Sequence, residues 1–157
     1  MMREKEKIWA IIMGMILSVF VFASPIKDYY KLHKKDYGME ARVIPPKVAA
    51  MIVAEDYPEA VDLLKSLSAL KYLNYRGKTK KVAQYADRAI QAKGNQQLLL
   101  DEKSDGKKIK VFGSKKKGYI RKIMAVVYTK TQFVLLIGKG KLSESQIQSM
   151  PAIIEAL

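Results

Sequence analysis

A chain of 157 residues, 49% hydrophobic and 28% charged, can bury one sizeable core, is too short for a second catalytic domain, and falls outside the range of global disorder. With 29 Lys and Arg against 15 Asp and Glu the formal charge is +14, a field that favours anionic partners: lipid headgroups, acidic polysaccharide, nucleic acid or an acidic protein. The absence of cysteine excludes disulfides, thiol catalysis, thiolate metal sites and lipidation at a leader-end cysteine.

The first residues read as an export signal. Arg3, Lys5 and Lys7 precede the uncharged run Ile8 to Phe22, and Val21-Phe22-Ala23 places small residues at the two positions a signal peptidase reads. That run is about 15 residues, short of the roughly 20 that cross a bilayer as a helix. Cleavage after Ala23 is therefore expected, giving a signal peptide 1–23 and one domain over 24–157 that keeps 26 basic against 13 acidic residues. A protein carried to the periplasm or beyond does not meet the chromosome, so nucleic acid is disfavoured as its partner.

In chain order, Ile26, Tyr29, Tyr30, His33 and Tyr37 recur at helical spacing with Lys27, Lys31, Lys34 and Lys35 opposite, which predicts an amphipathic helix ended at Gly38. Its aromatic stripe reads as core, and His33, the single histidine, as a packed or hydrogen-bonded residue rather than a ligand or base. Ala41 to Ile44 is a short strand; Pro45-Pro46 stops it and starts a helical turn over Lys47 to Ala54. Asp56 is placed to cap a second helix, with Pro58 in the first turn and Ala60, Val61, Leu64 and Leu67 as the apolar stripe. A strand over Ala69 to Tyr75 ends at Arg76-Gly77. The clearest helix is Thr79 to Lys93, with Thr79 as its cap, Val82, Tyr85, Ala86, Ala89 and Ile90 as its stripe, and Gly94 where helices end.

The second half is β-rich. A strand over Gln96 to Asp101 leads through Ser104-Asp105-Gly106 to three more, Lys108 to Phe112, Tyr119 to Tyr128 and Gln132 to Ile137, joined tightly enough to pair as an antiparallel meander. In the first of these, Ile109 and Val111 alternate with Lys108, Lys110 and Phe112, which predicts one wet face. In the next, Ile123, Ala125 and Val127 alternate with Met124, Val126 and Tyr128, so both faces are apolar and a central place is expected. Gly138-Lys139-Gly140 lacks the third glycine of a phosphate loop and reads as the exit into a last helix, capped by Ser143, or by Ser145 with Gln148, and broken or bent at Pro151. The expected class is α+β, a mostly antiparallel sheet with helices packed on one face and a terminal helix.

These landmarks, taken in order, resemble a small exported Bacteroidota family, domain of unknown function 4252. The likeness is carried by Val43 to Lys47, Leu63 to Leu67, Leu70 to Leu73, Leu98 to Asp101, Lys108 to Phe112, Ile123 to Val127 and Phe133 to Gly138, and spans about Tyr29 to Leu157. The resemblance implies a secreted or periplasmic α+β domain, and family genes beside envelope sigma-factor systems imply an envelope or stress-linked accessory role. No active site comes with it, and this chain is more basic than many relatives.

The residues themselves assign no catalytic group, cofactor or metal. Glu55-Asp56 and Asp101-Glu102 lie beside a helix start and at a strand end, where capping and solvation account for them; His33 lacks a nearby serine or a glycine-flanked nucleophile turn; and no metal-ligand spacing occurs. Surfaces remain. One expectation is a basic face around a hairpin, Lys115, Lys116, Lys117, Arg121 and Lys122, docking on an anionic membrane or glycan. The other is an uncovered apolar face of the meander, Met124, Val126 and Tyr128, docking on an envelope protein in a regulatory role.

Overall fold

The computed structural model describes residues 25–156; the leader expected over 1–23 lies outside them. Its frame grows from the meander. Strands β3 (Gln97–Ser104), β4 (Lys107–Lys116), β5 (Tyr119–Tyr128) and β6 (Gln132–Leu142) pair antiparallel in sequence order. The first two turns are two-residue loops, Asp105-Gly106 and Lys117-Gly118, in which both residues take positive φ, 51° and 77°, then 54° and 82°. That geometry matches the right-handed twist of the flanking strands and holds them in register. At the third turn the Thr129 hydroxyl accepts from the Thr131 and Gln132 amides at 3.2 and 3.1 Å. Strand β2 (Leu67–Arg76) joins the free side of β6, and β1 (Met39–Val43) joins β2, giving the order β1-β2-β6-β5-β4-β3. The strand with two apolar faces, β5, is indeed interior.

Helices cover both faces of this sheet. On one lie α1 (Pro25–His33) and α4 (Thr79–Gln91), packed on Leu73, Tyr75, Phe112, Met124, Val126, Phe133, Leu135 and Ile137. On the other lie α2 (Pro46–Val53), a 3₁₀ turn (Pro58–Ala60) with α3 (Val61–Lys65), α5 (Glu144–Ile147) and α6 (Met150–Ala156), packed on Leu70, Tyr72, Ile109, Val111, Ile123, Ala125, Val127 and Leu136. The α+β class stands, but the expectation of helices on one face does not. Its physical correction is simple: β5 and β6 carry apolar side chains on both faces, and each face must be removed from water by something. The α4 stripe, with Val82, Tyr85, Ala86 and Ala89 buried, supplies the second cover.

Element ends differ from the sequence reading where side chains intervene. Helix α1 stops at His33, whose Nδ1 bonds Asp36 Oδ2 at 2.7 Å, so Tyr37 leaves the stripe and is 96% exposed. Asp36 also accepts from the Tyr85 hydroxyl at 2.7 Å, tying this turn to α4. Thr79 is the first helical residue of α4 rather than its cap, Lys78 standing at the cap position, and Asp56 caps nothing because the next helix opens as a 3₁₀ turn behind Tyr57. Ser143 caps α5, and its box partner is Gln146: Gln146 N donates to Ser143 Oγ and Ser143 N to Gln146 Oε1. Gly138-Lys139-Gly140 stays in β6. A side chain at 140 would strike the Ser66 carbonyl and come within 2.9 Å of Leu67 Cα, so glycine lets the start of β2 close on the strand.

Candidate anion-binding surface

Side chains alternate along a strand, and that alternation gathers three lysines. Lys71 shares the phase of Leu73 and Tyr75 on β2, Lys139 that of Leu135 and Ile137 on β6, and Lys122 that of Met124 and Val126 on β5. In the register Lys122 faces Lys139, and Lys71 sits opposite Ile137, one position inward. All three therefore stand on the α1 and α4 face, at a margin that the helices leave bare among the described residues. Lys27, in the first turn of α1, comes against Lys139 from above. Like charges directly opposite in a sheet repel. The Lys139 ammonium accordingly falls from 10.5 to about 8, first because of the adjacent Lys27 amine, then because of burial, with Lys122 and Lys71 adding to it.

Two β-bulges frame this margin, between Leu67 and Ala69 on β2 and between Ile120 and Lys122 on β5. Bulges re-aim side chains, and here Arg121, Lys122, Lys139 and Lys141 all line one open depression of about 500 Å³ floored by Ser66, Ser68 and Gly140. Two groups with apolar surface stand beside these cations. The Tyr119 ring, 41% exposed, has Lys141 Nζ 4.3 Å and Arg121 Cζ 5.8 Å from its centroid. Val43, 68% exposed, pairs with Lys71 at the sheet edge. Lys71 itself lies over the Tyr30 ring at 5.2 Å. Among the described residues, none of Lys27, Lys71, Arg121, Lys122, Lys139 and Lys141 has a carboxylate within 4.0 Å.

The residues expected from sequence divide. Arg121 and Lys122 line the depression, and Lys116 and Lys117 are exposed at the hairpin tip. Lys115 is ion-paired with Glu144, which takes it out of the free cations. Lys27, Lys71 and Lys139 come from three other elements and were not anticipated; for Lys71 and Lys139 the signal was present as lysines continuing the apolar phase of their strands. Met124 and Val126 are fully buried beneath the helices, and Tyr128 is half-buried with Lys108 Nζ 5.5 Å from its ring centroid. The face expected to be open for a partner is interior.

The match to known proteins is at family level. A family model described as a domain of unknown function, DUF4252, matches residues 30–150. The chain belongs to this family. The matched span of this DUF4252 protein runs from α1 to the start of α6, so it takes in all six strands and, with them, Lys71, Lys122 and Lys139. No curated protein and no solved structure matches the chain. Among the described residues, no helix is long and apolar enough to cross a membrane.

Proposed function

We propose that this DUF4252 protein is an exported, non-catalytic accessory module of the envelope that docks on an anionic lipid surface through the lysine margin. The observation that carries the reading is the convergence of Lys27, Lys71, Lys122 and Lys139 from α1, β2, β5 and β6, with no carboxylate to neutralise them among the described residues. A fold that holds like charges together at a cost suits a surface that meets opposite charge elsewhere. Exposed Tyr119, beside Lys141, and Val43, beside Lys71, add the amphipathic and apolar groups that settle at a headgroup boundary. Across the strands they are three inter-strand spacings apart in the order β1-β2-β6-β5, about 14 Å, which gives the footprint of a patch rather than a point. Each basic residue near such a surface contributes on the order of 1 kcal/mol, weakened by salt. Export rests on Arg3, Lys5, Lys7 and the apolar run after them, and mass measurement of the protein from its native envelope should find Ser24 first.

The test is co-sedimentation of Ser24–Leu157 with vesicles of anionic or neutral lipid, and with an acidic polysaccharide, at low and high salt. Binding to anionic vesicles that salt releases, weakened by Lys122→Gln and Lys139→Gln together but not by Lys115→Gln, is the expected result. Binding to the polysaccharide alone would replace lipid by glycan. Failure to bind either at low salt would end the docking reading.

A further inference from the structure

The opposite face of the sheet, at the opposite strand ends, holds a second feature. Tyr72, Asn74 and Arg76 point the same way along β2, beside Glu40 and Arg42 of β1, which pair with Asn74 and Tyr72 in the register. Gln132 pairs with Arg76, and Val134 with both Asn74 and Val127. Together with Lys107 at the start of β4 and Glu155 on α6, these residues enclose a cleft of about 420 Å³, within the roughly 300–1,000 Å³ of small-molecule sites.

Its chemistry is specific. Val127, Val134 and the buried Tyr72 make an apolar floor, and the rim is polar. Gln132 Nε2 donates to Asn74 Oδ1 at 3.0 Å, which fixes the amide pair and leaves the Asn74 amino group and the Gln132 carbonyl oxygen turned to other partners. Both carboxylates of the cleft are engaged: Glu40 with Arg42 Nη2 at 2.6 Å, Glu155 with the Tyr57 hydroxyl at 3.2 Å. Arg76 and Lys107 face no carboxylate within 4.0 Å among the described residues. A ligand that answers all of this carries one carboxylate for a guanidinium fork, neighbouring hydroxyls that both donate and accept, and a ring with an apolar side for the floor.

We infer that this cleft binds a carboxylated sugar of the uronic acid type, its carboxylate on Arg76, its hydroxyls on the Asn74–Gln132 amide pair and its ring over Val127 and Val134. Such a residue can arrive free or as one unit of an acidic polysaccharide, and the second cation, Lys107, lies across the cleft where a neighbouring acidic unit would extend. A phosphate ester fits less well, because the rim offers no glycine-rich run of backbone amides. The inference does not rest on the lysine margin, which lies on the other face.

Amide and guanidinium NMR of the labelled protein tests it, titrating glucuronic acid, a digalacturonic acid, glucose and a mononucleotide. Saturable shifts of the Asn74 and Gln132 side-chain amides with either uronate are expected, weakened about tenfold or more by Arg76→Gln and unchanged by Lys122→Gln with Lys139→Gln. Shifts with both uronates would identify the single sugar as sufficient; shifts with the dimer alone would identify the polymer as the source. Absence of saturable shifts at millimolar uronate, equal shifts with glucose, preference for the mononucleotide, or uronate binding indifferent to Arg76→Gln in a protein with an otherwise unchanged spectrum would each overturn it.

Discussion

Lys139→Gln should stabilise the protein while weakening the proposed hold on anionic surfaces. The ammonium is held down to about 8 by Lys27, by burial, and by Lys122 and Lys71, against 10.5 for the free side chain. Taken whole, that difference corresponds to about 3 kcal/mol between the charged and neutral forms. Lysine chains at a partly exposed margin move and are screened, so about 1 kcal/mol is the expected gain at pH 7. The sign follows from linkage: between pH 8 and 10.5 the unfolded chain holds the Lys139 proton more tightly than the folded one, so the penalty is complete below 8 and disappears as pH rises through that window. Urea unfolding of both proteins from pH 7 to pH 10.5 measures it, and the advantage of Lys139→Gln should shrink steadily across the range. Vesicle binding at pH 7 should fall about fivefold in the same variant, by the loss of roughly 1 kcal/mol of headgroup attraction. A variant that is less stable at pH 7, or whose stability difference is flat with pH, would refute the repulsion on which the lysine margin rests.

Four further outcomes follow from the packing. Phe133→Ala empties a fully buried site whose ring stacks on Tyr85 at 5.6 Å between centroids, and should cost about 3–5 kcal/mol in denaturant unfolding. Asp36→Asn removes the carboxylate that accepts from His33 and Tyr85 and should cost about 1–2 kcal/mol at neutral pH; since those bonds, the His33 one first, hold its pKa below 3.8, the stability lost in the parent as pH falls from 3.8 through that lower value should be absent from the variant. Gly140→Ala should lower the melting temperature more than an alanine at exposed Lys141, because the added carbon meets the Ser66 and Leu67 backbone. Burial first of all, then neighbouring negative groups, raises Tyr29 and Tyr85 far above 10, so stability present below pH 10 should decline above it, less steeply in Tyr29→Phe than in the parent.

Local periodicity carried most of the architecture. The stripe of α4, the meander, the interior place of β5 and the Ser143 cap were all legible because each is set within about a turn or a strand of sequence. What the sequence hid were relations between elements. The open-face reading of Met124, Val126 and Tyr128 failed because a strand's second apolar phase shows that a cover is needed, not which helix supplies it; α1 and α4 lie far from β5 in the chain. The same blindness applied to Tyr37, which fits the α1 period but is released by a side-chain bond from His33 to Asp36. A densest charge run was a poor guide to a site as well: of Lys115, Lys116 and Lys117, the first is spent on Glu144.

The lysine margin shows how a site can be found where the sequence pattern is broken rather than where it is rich. Lys71, Lys122 and Lys139 each occupy a position that the apolar phase of the strand would give to a side chain like Leu73, Met124 or Ile137. Apolar residues in that row would be more stable than four mutually repelling cations. Places where every local rule agrees report folding, and a place where charge is held against its own repulsion reports a demand from outside the fold. Lys27 belongs to α1, not to the sheet, so the repulsion it exerts on Lys139 acts directly across the contact between α1 and β6. An anion bound between them would relieve that repulsion, coupling occupancy of the margin to how firmly α1 is seated, and slower amide exchange in α1 on vesicle binding would be its signature.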